Sequence, residues 1–189
     1  MRLFSKKTYQ EEIIDHYKKS WQNDYKTYLW DKGPFEKLPH DFRVLEFEPT
    51  KNRNMWTYAT CAMSQREDYA RIELHIFSSK RDEGLIELLT IIAHYHRNTS
   101  KLNVGHSVNF GRPWQDKSNC QYGLISLPYL DGPSLEDFQS SAGILKFYWL
   151  IPVTEEEVNF KAKYGIESLE QIFDERGLDY INSNRSSLV

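Results

Sequence analysis

Residues 144–153, ILKFYWLIPV, carry a single charge and are otherwise almost wholly apolar. A run this long, rich in aromatic and branched side chains, reads as a strand buried on both faces, which belongs in the middle of a sheet. The chain then turns at once into helix-forming sequence, TEEEVNFKAKYG. Thr154 and Glu157 have capping-box spacing: the hydroxyl takes a free backbone N–H, and the carboxylate reaches back to the cap. Glu155 and Glu156 suit the positive end of a helix. Gly165 stands where a left-handed residue ends one. A buried central strand needs helices or a second layer to cover it, so the rest of the chain is read for both.

TYQEEIIDHYKKSWQ predicts a first helix, with Thr8 and Glu11 as a second capping box and Ile13, Ile14, Tyr17 and Trp21 at helical spacing. DKGPFEKLPHD breaks the pattern with Gly33, Pro34 and Pro39. RVLEFEP, MWTYATCAMS and ARIELHIFSS predict strands. The last alternates Ile72, Leu74 and Ile76 against Arg71, Glu73 and His75, so His75 faces solvent or a second layer. DEGLIELLTIIAHYHR predicts a second helix, with Leu85, Leu88, Leu89 and Ile92 on one face and Asp82 and Glu83 at its N-terminal end. GHSVNFGRPW reads as a short strand entering a loop, YGLISLPYL as another central strand, and DGPSLEDFQSSAG as a polar connection. IESLEQIFDERG predicts a last helix, with Ile166, Leu169, Ile172 and Phe173 inward and Gly177 at its end. LDYINSNRSSLV reads as a short strand or tail. The expected order is helix, three strands, helix, three strands, two helices. That is an α+β fold with a mixed, largely antiparallel central sheet flanked by helices. One domain over residues 1–189 is expected, with a helix and connecting loop in 1–40 and the main body in 41–189.

The charge pattern narrows the function. The chain has a net charge of −3, which argues against nucleic acid as the partner. From Asp131 onward 11 Asp and Glu face 5 Lys and Arg, a net of −6. No apolar stretch is long enough for a membrane span, and MRLFSKKTYQEEIIDHY lacks the apolar core of a secretory signal. The two cysteines, Cys61 and Cys120, form no CxxC pair. A cytoplasmic location is therefore expected.

Three histidines fall in AHYHRNTSKLNVGH. At about 100° per residue, His94 and His96 sit about 200° apart on a helix and cannot face one ion. No metal is expected there; His96 reads as a core histidine with a local hydrogen bond. There is no GxSxG elbow, no phosphate-binding glycine loop with its lysine, and no recognisable catalytic-cysteine setting. The carboxylates of TEEEVNF and ESLEQIFDERG read as helix-end and polar-face groups. No enzyme chemistry emerges, and binding is the expected role.

RVLEFEP, ARIELHIFSS, GLIELLTIIAHYH, VGHSVNFGRPW, YGLISLPYL, FYWLIPVTEEEVNFKAKYGIESLEQIF and GLDYINSNRSSLV together, in this order and spacing, resemble the Suppressor of fused (SUFU) domain family. The resemblance covers most of the chain after residue 40. It implies a mixed sheet between helices, no catalytic residues and no cofactor. Animal members bind a transcription-factor peptide as an added strand. The positions matching that region are Tyr95 and the Gly105–His106 turn. Single-domain members of this length resemble bacterial immunity proteins encoded beside polymorphic toxins, nucleases among them. The implied partner is a protein, a cognate toxin, met by the acidic C-terminal third through charge complementarity. The alternative is a SUFU-like adaptor or regulator binding another cellular protein. For the contact surface the sequence nominates exposed aromatics and acids near sheet ends and loops: Tyr95, His106, Trp114, Tyr129, Asp131, Glu136 and Asp137.

Overall fold

The structure is a computed structural model, describing residues 7–32 and 37–189. Gly33, Pro34 and the first six residues, on which the loop-break and signal expectations partly rested, lie outside the described residues. Thr8 caps α1 (Tyr9–Trp21) by the expected box: its hydroxyl accepts from the Glu11 N–H. The chain then lays down β1 (Tyr25–Tyr28), β2 (Arg43–Phe47), β3 (Trp56–Cys61) and β4 (Ile72–Ser78). After α2 (Gly84–Asn98) come β5 (Ser107–Asn109), β6 (Tyr122–Ser126), a short α3 (Pro133–Glu136), β7 (Asp137–Ser140) and β8 (Gly143–Val153). Helices α4 (Glu155–Tyr164) and α5 (Ile166–Arg176) complete it. Among the described residues no helix is long and apolar enough to cross a membrane.

The sheet has the order β1-β2-β3-β4-β8-β6-β5, with β7 pairing β8 as a hairpin arm. Among the described residues all pairings are antiparallel except β4 with β8. The apolar run that opened the sequence reading is β8, central as expected, and alternation sends its side chains to both faces. Tyr148 and Leu150 join Leu74, Ile76 and the α2 residues Leu85, Leu89 and Ile92 in one core cluster. Leu145 and Phe147 meet Ile13, Tyr17 and Trp21 of α1 on the other face. Trp149, Ile151 and Val153, on that same face, meet Leu169 and Phe173 of α5. So α2 covers one face, while α1 and α5 share the other.

Three elements depart from the expected order. β1 was not anticipated; it is a short edge strand with its middle residues exposed, so it lacks an apolar stripe. The segment expected to be a polar connection holds α3 and β7; β7 is polar because its outward residues, Asp137 and Gln139, are exposed. Residues 178–189, read as a short strand or tail, take the second form. They form a tail clasped by Arg185, whose guanidinium donates to both carboxylate oxygens of Glu157 at 2.6 and 2.7 Å and to the Pro152 carbonyl at 2.8 Å. Glu157 also completes the α4 capping box, accepting from the Thr154 N–H at 2.9 Å. It caps the helix as its spacing predicts, and its side chain is also fully buried.

Several ionisable groups lie inside this core. Burial pushes Glu73 up to about 8, against donation from the Thr60 hydroxyl and the Met63 and Ser64 N–H groups. Burial pushes His75 and His96 down to about 4. His96 has the expected local bond, accepting from the Leu102 N–H at 2.9 Å. The stability linked to the depressed histidines is complete above their ordinary 6.5 and lost as pH falls toward 4. The stability linked to the raised Glu73 is complete below its ordinary 4.5 and lost as pH rises toward 8. Between 4.5 and 6.5 these two histidines, joined by buried His16, which is also pushed down, outweigh one glutamate, and between 6.5 and 8 Glu73 dominates. Folding stability is therefore expected to peak near pH 6.5 and fall on both sides, by at most about 1.4 kcal/mol per pH unit for each proton. Urea titrations across this range check it. Glu73→Gln should flatten the alkaline limb, and an unchanged limb in that variant would refute the assignment.

Candidate functional site

The face shared by α1 and α5 is bridged by an interior ion pair. Asp131 sits in the turn after β6, its backbone N–H donating to the Pro128 carbonyl. Its carboxylate takes both Arg53 Nη groups, at 2.6 and 3.2 Å, and the Trp21 indole N–H at 3.0 Å. The Arg53 guanidinium lies over Trp21 at 5.1 Å and Phe77 at 4.7 Å. His75 Nε2 comes within 3.8 Å of Asp131, but burial keeps the ring neutral, so this contact is not an ion pair. His75 thus faces the second layer, as the strand alternation required.

The same turn projects Tyr129 and Leu130 outward, 59% and 47% exposed. They form one lip of a groove of about 670 Å³ that runs between the sheet and α5. Trp149, Ile151 and Phe173 form its floor, and Leu178 and Tyr180 of the tail line it as well. Among the described residues its charged lining is three carboxylates, Glu167, Glu170 and Asp174, with no basic residue. They fall at i, i+3 and i+7 on α5, so they share one face. Glu170 is tied down, accepting from the Ser126 hydroxyl at 2.5 Å and the Tyr129 hydroxyl at 3.2 Å. Among the described residues none of the three lies in an ion pair. Acid beside aromatic surface is suited to binding a positively charged partner.

Of the residues nominated from sequence, Tyr129 lines this groove and Asp131 anchors its lip from within. Two expected exposures are corrected. The Asp131 side chain is only 5% exposed because Arg53 and Trp21 enclose it. Trp114 is 4% exposed because it packs into the α2 core cluster. Glu136 and Asp137 lie at the start of the β7 arm against Lys146, at 3.9 and 2.7 Å. Tyr95 lies on α2, on the opposite face of the sheet from the groove, beside exposed Ile91 one turn earlier. His106 is exposed in the turn leading to the edge strand β5, where Lys161 braces the neighbouring Gly105 carbonyl. The nominated residues thus fall in separate regions. Glu170, Asp174, Trp149 and Tyr180 were missed; the acidic face of α5 was readable from its spacing, but the aromatic floor needed the tertiary fold.

Among the described residues no three His, Cys, Asp or Glu side chains converge on a metal position. Both cysteines are buried, and burial pushes their thiols up, away from the reactive thiolate.

Comparison with known proteins fits this architecture. Curated proteins gave no significant match in sequence. A crystal structure described as a SUFU homolog from Neisseria gonorrhoeae FA 1090 superposes with a TM-score of 0.84 at 32% identity, over 96% of this chain and 97% of that one. The Sufu–Fu complex structure aligns with a TM-score of 0.69 at 16% identity, over 95% of this chain and 92% of that one. Drosophila Suppressor of Fused aligns with a TM-score of 0.67 at 16% identity, over 93% of this chain but 50% of its own length. The family model for Suppressor of fused protein matches residues 39–186, which is most of the chain, and the protein therefore belongs to the SUFU family.

Proposed function

We propose that this chain is a non-catalytic protein-binding domain, and specifically a cytoplasmic immunity protein that neutralises a cognate toxin by direct binding. The observation that carries the reading is the groove along α5, where, among the described residues, three carboxylates and an aromatic floor meet without a basic residue. A basic toxin such as a nuclease would find there both steering charge and apolar area to bury. The fold also occurs in the Sufu–Fu complex. The non-catalytic reading is supported by where the shifted groups lie. Glu73, His75 and His96 are all buried and none of them lines the groove, while the groove's own Tyr129 and Tyr180 are pushed up by burial, toward the un-ionised phenol.

The test is co-expression with the product of an adjacent toxin-like gene. Growth should be rescued and the two proteins should co-elute as a complex. A complex without inhibition would favour the adaptor reading instead. The absence of both binding and rescue would overturn the proposal.

A further inference from the structure

Aromatic rings run in a row along the α1 and α5 face. Trp21 and His75 are 5.5 Å apart, His75 and Phe77 5.2 Å, Phe77 and Trp149 5.4 Å, and Trp149 and Tyr180 5.1 Å. At the Trp21 end the fold provides its own cation. Arg53 lies over Trp21 and over mid-row Phe77, which itself packs 5.8 Å from Tyr180; it forks onto Asp131 and donates from Nε to the Thr57 hydroxyl at 3.2 Å. At the other end Trp149 and Tyr180 open into the groove. There Glu170 and Asp174 stand four residues apart on one flank of α5, and among the described residues no lysine or arginine lines the space. The two ends share their chemistry but not their charge balance.

We infer that the groove seats an arginine side chain of a basic partner protein, its guanidinium stacked on Tyr180 and paired with Glu170 and Asp174. This rests on the protein-binding reading above and adds the group that is recognised. Arginine fits better than lysine for three reasons. Its planar head stacks on aromatic faces, it is weakly hydrated, and it can serve two carboxylates at once. Glu170 is well placed for this, because the bonds from Ser126 and Tyr129 fix its carboxylate yet leave further lone pairs free.

The test uses the full chain and fluorescein-labelled hexa-arginine, read by fluorescence anisotropy in about 0.15 M salt, where long-range attraction is screened. Glu170→Gln with Asp174→Asn should weaken binding by about tenfold. Tyr180→Leu should weaken it as well. The control pair Glu67→Gln with Asp116→Asn removes the same charge away from the groove and should change affinity by less than about twofold. Circular dichroism melts of each variant keep unfolding apart from loss of the seat. Equal losses in the groove and control variants would overturn the inference, as would no measurable binding by the wild type. Hexa-lysine binding as tightly as hexa-arginine would overturn the choice of arginine. The parent reading fails separately. If the groove variant still binds and inhibits the toxin-like protein, only the arginine seat falls; if the wild type does neither, the immunity function falls.

Discussion

Arg185→Ala should cost about 3–5 kcal/mol of folding stability in urea denaturation, because it leaves a buried carboxylate without its counterion. Few side chains in this protein are so completely engaged. Arg185 is 7% exposed and joins three pieces of backbone: the α4 start through Glu157, the end of β8 through Pro152, and its own tail through Ser186. Glu157 in turn holds the Thr154 and Leu188 N–H groups, so losing Arg185 strands a charge inside a capping box. The companion experiment separates the charge from the packing. Arg185→Met combined with Glu157→Gln removes both charges and keeps the volume and the cap, and should cost much less than Arg185→Ala alone. A single-variant loss below about 1 kcal/mol would show that the tail is not anchored by this pair.

Asp131→Ala should have an effect of similar size, again about 3–5 kcal/mol, for the mirror-image reason: it strands a guanidinium between two aromatic rings. It also leaves the Trp21 indole N–H without its acceptor, a further cost of about 1–3 kcal/mol if no water reaches it. Asp131→Asn can still accept from Trp21 and should fall in between. The two effects can be read apart. Denaturation gives the total, while the Trp21 indole proton in an NMR spectrum reports the single bond. A fully stable Asp131→Ala protein with an unshifted indole proton would refute the described geometry.

These two anchors also show what the sequence could and could not tell. Strands with an apolar run or clean alternation, β8 and β4, were legible, as were the helices with a capping box or an apolar stripe. β1 and β7 escaped notice because each is short and partly exposed, so neither needs the apolar spacing by which strands are recognised. Nothing in NSNRSSLV marks Arg185 as interior, because its partner lies 28 residues earlier. Trp114 and Asp131 were misjudged as exposed for the same reason: a loop position says little about which way a side chain packs. The groove was half legible. The acids of α5 share a face by spacing alone, whereas Trp149 and Tyr180 meet only because β8 and the tail converge.

The lone parallel pairing at the middle of the sheet bears on how the molecule assembles in time. It joins Ile72 to Lys146, so its closure must gather a stretch of more than seventy residues. The strands on either side are linked mainly through neighbours in sequence, β1 through β4 in one group and β6 with β8 and its β7 arm in another. Closing a long loop is entropically slow, and contacts between distant residues set the pace of folding. The two groups are therefore expected to form first and to dock last along the β4–β8 seam. Pulsed hydrogen exchange during refolding should show amides of β2 and β3 protected before those of β4 that face β8, and simultaneous protection would exclude this order. Until docking, Leu74 and Tyr148 stand at unpaired strand edges, which makes that interval the one in which the chain is most exposed to misassociation.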